Sequence, residues 1–129
     1  MSVVDKGFDA AFAASVFSDA PRVGLKMGAC LMVGSRILAL GANLYSRSHP
    51  ASRQSDAFTY STHAEHVALL RRQHYDAPKG RLTLYVARRR SDGSIGNSKP
   101  CVNCMRLCNL SGIARIWYFE NSMRKELVL

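Results

Sequence analysis

The chain has no apolar run approaching the ~20 residues that a membrane-spanning helix needs. It contains no internal repeat and no low-complexity linker, which leaves one domain over residues 1–129. Acid is scarce: nine Asp and Glu face eighteen Lys and Arg, for a net charge of +9. That imbalance points to a phosphorylated or polyanionic partner without choosing between a free nucleotide and a nucleic acid, and solubility alone is the plainer reading. Cysteines are few, and three of the four crowd between Cys101 and Cys108. A disulfide framework would spread them through the chain, so a metal role for intracellular thiols fits better. The opening Met1-Ser-Val-Val-Asp-Lys6 lacks the basic-then-apolar layout of a secretory signal, and a soluble cytoplasmic protein with no membrane partner is expected.

Hydrophobic residues make up 47% of the chain, enough for one packed core. Phe8, Phe12 and Val16 recur at helical spacing and predict a helix over 5–19, ended by Ala20-Pro21. Apolar runs at 27–33 and 36–40, separated by Gly34-Ser35, predict a β-hairpin. Residues 41–60 are polar and read as a long loop. A helix is expected from Thr62 to about Tyr75, then a strand over 82–87 and a basic loop with a turn at Asp92-Gly93. A further helix beginning beside Pro100 and ending near Gly112 leads to a strand over 113–119, with a short last strand at 126–129. Helices crossing between successive strands make those strands parallel and give an α/β layer fold.

Two motifs carry chemistry: His63-Ala64-Glu65 and Pro100-Cys101-Val102-Asn103-Cys104. Both stand at expected helix starts. Catalytic zinc takes three protein ligands and leaves a fourth position open. One imidazole and two thiolates meet that count, and cysteines three apart at a helix start can turn both sulfurs to one point. A helix N-terminus also favours the thiolate form. Glu65 lies close enough to His63 to move protons without itself being a ligand. Other readings stand beside these. Thr62 and Glu65 fit a capping box, and Cys101 with Cys104 fits a redox pair or half a structural zinc site completed by Cys108 or His66. Cys108 and Cys30 otherwise read as core thiols. Tyr60, Phe58 and His49 are placed either to stack on a base or to pack the loop down. Arg71-Arg72 and Arg88-Arg89-Arg90 are either a solvated face or phosphate contacts.

H-x-E with P-C-x-x-C is the signature of zinc deaminases. On these residues the chain resembles the cytidine deaminase-like superfamily, and within it the cytidine/deoxycytidylate deaminase zinc-binding family. The resemblance runs from about Val23 to Tyr118 and takes in Gly41-Ala42-Asn43 and Ser111-Gly-Ile-Ala-Arg-Ile116. It implies a three-layer α-β-α fold, with a mixed sheet of four to five strands in the order 2-1-3-4-5 and helices on both faces. It implies one Zn²⁺ ion held by His63, Cys101 and Cys104, with hydrolysis at C4 of cytosine or C6 of adenine. Glu65 would protonate the ring nitrogen and help ammonia leave. Asn43, Ala64 and Pro100 would contact substrate, and Arg47 is placed to hold a 5′-phosphate. Three functions stay open at this point: deamination of a free cytidine or deoxycytidine nucleotide, deamination of cytosine or adenine within single-stranded DNA or tRNA, and a non-catalytic zinc-stabilised nucleic-acid-binding module. The loop at 43–60 carries no second Cys and His set, which speaks against a further metal there. Few residues follow Phe119, which speaks against a long helical tail for tRNA and leaves a sheet edge for a homo-oligomer to cover.

Overall fold

A computed structural model describes residues 2–45, 63–72 and 81–129. Helix α1 spans Val3–Ser15. The Asp5 N–H donates to the Ser2 hydroxyl (3.1 Å), and the Ser2 N–H donates to the Asp5 carboxylate (3.2 Å). This reciprocal cap starts the helix earlier than the apolar spacing indicated. Because the helix ends at Ser15, Val16 falls off the buried stripe and is 70% exposed.

Strands β1 (Met27–Val33) and β2 (Arg36–Ala42) form the expected hairpin, with Gly34 in the left-handed region at φ +55°. Then come α2 (Ala64–Arg71), β3 (Leu82–Arg88), α3 (Val102–Leu110), β4 (Ile113–Glu120) and β5 (Met123–Val128). The last strand begins earlier than its expected 126, directly after Asn121 and Ser122, both at positive φ. The five-stranded sheet has the order β2-β1-β3-β4-β5. β1 is antiparallel to β2 and β3, β3 is parallel to β4, and β5 is antiparallel to β4. Strands β2, β3 and β4 therefore run in one direction, as the two crossover helices require.

Alternation along β1 and β3 splits the core between two faces. Cys30, Met32, Tyr85 and Ala87 pack with Phe8 and Ala11 of α1. Ala29, Leu31, Leu84 and Val86 pack with Ala64 and Ala68 of α2 and with Cys108 of α3. Close approach decides two positions. A Cβ on Gly28 would lie 1.8 Å from the Ala11 carbonyl oxygen, and one on Gly41 would lie 2.5 Å from the Ala64 carbonyl oxygen and the Ala68 nitrogen. Gly41 thus lets the first turn of α2 sit directly on β2. No helix among the described residues is long and apolar enough to cross a membrane.

Asp5 also ties α1 to β5 through Arg124, at 2.6 Å. The guanidinium, followed by the Ser2 N–H and hydroxyl, holds the carboxyl down at about 2, from an ordinary 3.8. A depressed carboxylate adds stability above its unfolded pKa and loses it as pH falls through the folded one. Asp5→Asn should therefore melt below wild type at pH 6, and the gap should close between about pH 4 and pH 2. Thermal melts across that range check it; a gap that stays constant with pH would remove the charge from the account.

Candidate active site

The parallel strands β3 and β4 stay paired only as far as Tyr85 and Trp117. Beyond that point Ser98 enters between them. Its N–H donates to the Phe119 carbonyl (2.9 Å), its hydroxyl donates to the Val86 carbonyl (2.7 Å), and the Phe119 N–H donates to that hydroxyl (2.9 Å). The crevice outside the carboxyl ends of parallel strands is where α/β folds place ligands. Ser98 pins the chain there just before buried Pro100 and half-buried Cys101.

Cys101 is the N-cap of α3, with extended backbone at φ −69° and ψ 165°, and its Sγ accepts from the Cys104 N–H at 3.4 Å. His63 is the N-cap of α2. The two helix starts converge, placing His63 Nδ1 3.3 Å from Cys104 Sγ and 3.7 Å from Cys101 Sγ. All three donor atoms lie within 4.8 Å of one another. Tetrahedral zinc, with bonds of about 2.3 Å to sulfur and 2.0–2.1 Å to nitrogen, sets such ligands about 3.5 Å apart. The observed separations bracket that spacing, so the donor set fits the ion. Among the described residues no fourth donor joins the group. Cys108 is enclosed in the core and His66 is buried.

The sulfurs are electrostatically unequal. The Cys104 thiol, followed by His63 and the Cys104 N–H, brings Cys101 down to about 4. Cys104 is driven strongly up because its thiol donates a hydrogen bond to Cys101 and because it is buried. A dication binding both sulfurs must expel the proton they share, so its affinity falls as pH falls. Burial likewise pushes Cys30 and Cys108 up to about 12, leaving inert thiols.

Glu65 is 3% exposed. Burial raises its pKa above the carboxylate range, opposed by its own backbone N–H, by His63 and by the Cys104 thiol. The alternative reading of Glu65, a capping box with Thr62, does not match the observed start of α2. His63 caps α2 in place of Thr62, which lies outside the described residues, and no side chain caps the helix. Glu65 is then the second helical residue, one short of the box position.

A cleft of ≈ 250 Å³ opens beside His63 and Ala64, lined also by Leu25, Met27, Asn43, Tyr45, Arg88, Asn97 and Lys99. Of these, Asn43, Ala64 and Arg88 were legible in the sequence. The other five are apolar or loop residues from separate segments, and no local pattern marks them. Asn43 is chiefly a clamp. Its Oδ1 accepts from the Met27 N–H and its Nδ2 donates to the Leu25 carbonyl, each at 2.9 Å. Arg88 spans the rim through the Asn97 and Gly24 carbonyls, both at 2.9 Å. Lys99 has no partner among the described residues. Pro100 is buried and is not among the residues lining the cleft. Arg47, Tyr60, Phe58 and His49 lie outside the described residues. The other arginine runs are partly structural. Arg71 and Arg72 donate to the Leu40 and Ser111 carbonyls, and Arg89 lies over the Phe12 ring at 4.4 Å.

A family model for the cytidine and deoxycytidylate deaminase zinc-binding region matches residues 4–120. Among solved structures, the cytidine deaminase of Burkholderia pseudomallei superposes with a TM-score of 0.69 at 18% identity, covering 96% of this chain and 91% of that one. The dCMP deaminase of cyanophage S-TIM5 gives a TM-score of 0.62 at 21% identity, over 90% and 82% of the two chains. That phage enzyme is also solved in complex with dCMP and dUMP. The cytidine deaminase of Mycobacterium tuberculosis gives 0.58 at 15% identity, over 94% and 87%. At these identities the likeness is one of fold. No curated protein sequence matches the chain.

Proposed function

The chain belongs to the cytidine and deoxycytidylate deaminase zinc-binding family, and from that premise we propose that it hydrolyses a cytosine base to uracil with release of ammonia, in a free cytidine or deoxycytidine nucleotide. The observation that carries this reading is the convergence of His63, Cys101 and Cys104 beside buried Glu65. His63 Nδ1 and the two sulfurs would hold the Zn²⁺ ion. When bound, it supplies Lewis acidity that makes water nucleophilic near pH 7.

The remaining chemistry belongs to the chain. Glu65, with its proton affinity raised by burial, takes a proton from water, gives it to the base's ring nitrogen, and helps the amine leave as ammonia. The Cys104 thiol, His63 and the Cys104 N–H at the start of α3 together favour Cys101 as thiolate. Ala64 forms a small, close wall, and Asn43 retains one N–H and one lone pair toward the cleft beyond its backbone bonds.

Arg88 and Lys99 at the rim support a phosphorylated substrate. The net charge of +9 favours a second reading, a cytosine or adenine presented in a single strand. The four thiols are all free, which supports a cytoplasmic setting, and the exposed faces of β5 support a homo-oligomer.

A mass-spectrometric screen for a gain of about one mass unit, run on deoxycytidylate, deoxycytidine, adenosine nucleotides and cytosine-containing oligonucleotides, tests the substrate. Deoxycytidylate should react at least about tenfold faster than deoxycytidine or an oligonucleotide, the equivalent of about 1.4 kcal/mol in the barrier. Equal rates on an oligonucleotide, falling steeply with salt, would reverse that order.

A further inference from the structure

A second cavity, of ≈ 620 Å³, opens at the opposite end of β3. It lies where the hairpin turn, the first turn of α1 and the starts of β3 and β4 meet. At about 3.3 Å per strand residue, Arg81 there stands roughly 20 Å from Arg88 of the cleft. The polar lining is formed by Arg81 and Arg115, whose guanidinium groups only donate, and by Ser35, Thr83 and Tyr85, whose hydroxyls can donate or accept. Lys6 adds charge at the rim by donating to the Ser35 carbonyl at 2.7 Å. The nearby acids are engaged. Glu126 holds Arg115 at 3.5 Å, while Asp5 is taken by Arg124 and Ser2. Arg81 has no partner among the described residues.

Tyr85 makes the cavity more than a patch of surface charge. The residue is 3% exposed. Its ring is fixed under α1, edge-on to Phe8 at 5.5 Å, and a Cβ on Gly7 would lie 2.5 Å from it. Among the described residues nothing hydrogen-bonds its hydroxyl, yet no fully enclosed side-chain polar atom lacks a partner. The hydroxyl therefore ends in the cavity, held in place and open to a ligand. A hydroxyl so placed exchanges only water for a ligand, and a wall with two guanidinium groups selects a ligand rich in acceptors. Two guanidinium forks suit a tetrahedral oxyanion, which offers several oxygens at once.

We propose that this cavity binds a small phosphate-bearing ligand between Arg81 and Arg115, with the Tyr85 and Thr83 hydroxyls donating to its oxygens. The site is independent of the deaminase reading, because it shares no residue with the cleft.

The test is a titration of the full, zinc-loaded chain with inorganic phosphate, followed by amide NMR shifts, against sodium chloride at matched ionic strength. The amides of Ser35, Thr83 and Arg115 should move along one saturating curve that chloride does not reproduce. Tyr85→Phe keeps the packed ring and should weaken the midpoint about tenfold, the scale of one hydrogen bond to a charged group. Arg81→Ala, at an exposed position, should abolish saturation. The proposal is overturned by a response equal to that of chloride, by shifts confined to Asn97 and Lys99, or by both variants keeping the wild-type midpoint.

Discussion

Glu65→Gln should lower the deamination rate by about 10³-fold, within the 10²–10⁴ range for a positioned proton carrier, while the protein keeps its zinc. The expectation rests on where the carboxyl sits. It is buried at the start of α2, beside the three donors but outside their group, with its pKa raised chiefly by loss of water. A carboxyl whose proton affinity is raised by burial can take up and release a proton, and the amide of glutamine cannot. Glutamine keeps the size of the side chain, so the substitution tests the proton and not the packing. Rate should collapse while melting temperature and metal content hold. Steady-state rates on deoxycytidylate, with zinc measured by atomic absorption, decide the matter. A variant that keeps both its zinc and its rate would sink the proposed mechanism.

Cys104→Ser should abolish zinc binding and activity together. Cys104 is enclosed, and its sulfur touches both other donors. A serine hydroxyl does not ionise as a thiol does, so the site loses a charge and a soft ligand at once. The loss should exceed the roughly 10–100-fold in affinity that removal of an outer-sphere partner costs. Stability gives a second readout. An ion held a thousandfold above its dissociation constant contributes about 4 kcal/mol, so a chelator should lower the wild-type melting temperature and leave that of Cys104→Ser unmoved. Cys108→Ala is the contrast: it lies four residues further along the same helix, but in the apolar core, and should keep its zinc. Metal retained by Cys104→Ser would mean that the ion, if any, is bound elsewhere.

The donors were legible because their chemistry is local. Cysteines three apart at a helix start left a redox pair open beside a metal, the resemblance selected the metal with His63 as third donor, and the three side chains do converge. The strand directions were legible for a related reason, since helices crossing between short apolar runs make those strands parallel, while the order of the strands came from the family resemblance and agrees with the sheet. Legibility ended where partners come from afar. Leu25, Met27, Tyr45, Asn97 and Lys99 meet at the cleft only through tertiary packing. Asn43, expected at substrate by resemblance, has much of its amide committed to the backbone of Leu25 and Met27. The start of α1 was misplaced because the Ser2 cap outweighed periodicity. The early residues of β5 were missed because Met123, Arg124, Lys125 and Glu126 are all exposed; an edge strand with charged faces carries no apolar alternation to read.

Ser98 has a consequence for how the molecule can vary. It anchors the chain to β3 and β4 just ahead of the cysteines, while Arg88 and Arg89 hold the other end of the intervening turn. The stretch from Arg90 to Ile95 is thereby insulated from the donor geometry. Exchanges at its exposed residues, Arg90 to Ser94, should leave the sulfurs where they are, which makes this turn a place where the chain can vary while the donor geometry is inherited unchanged.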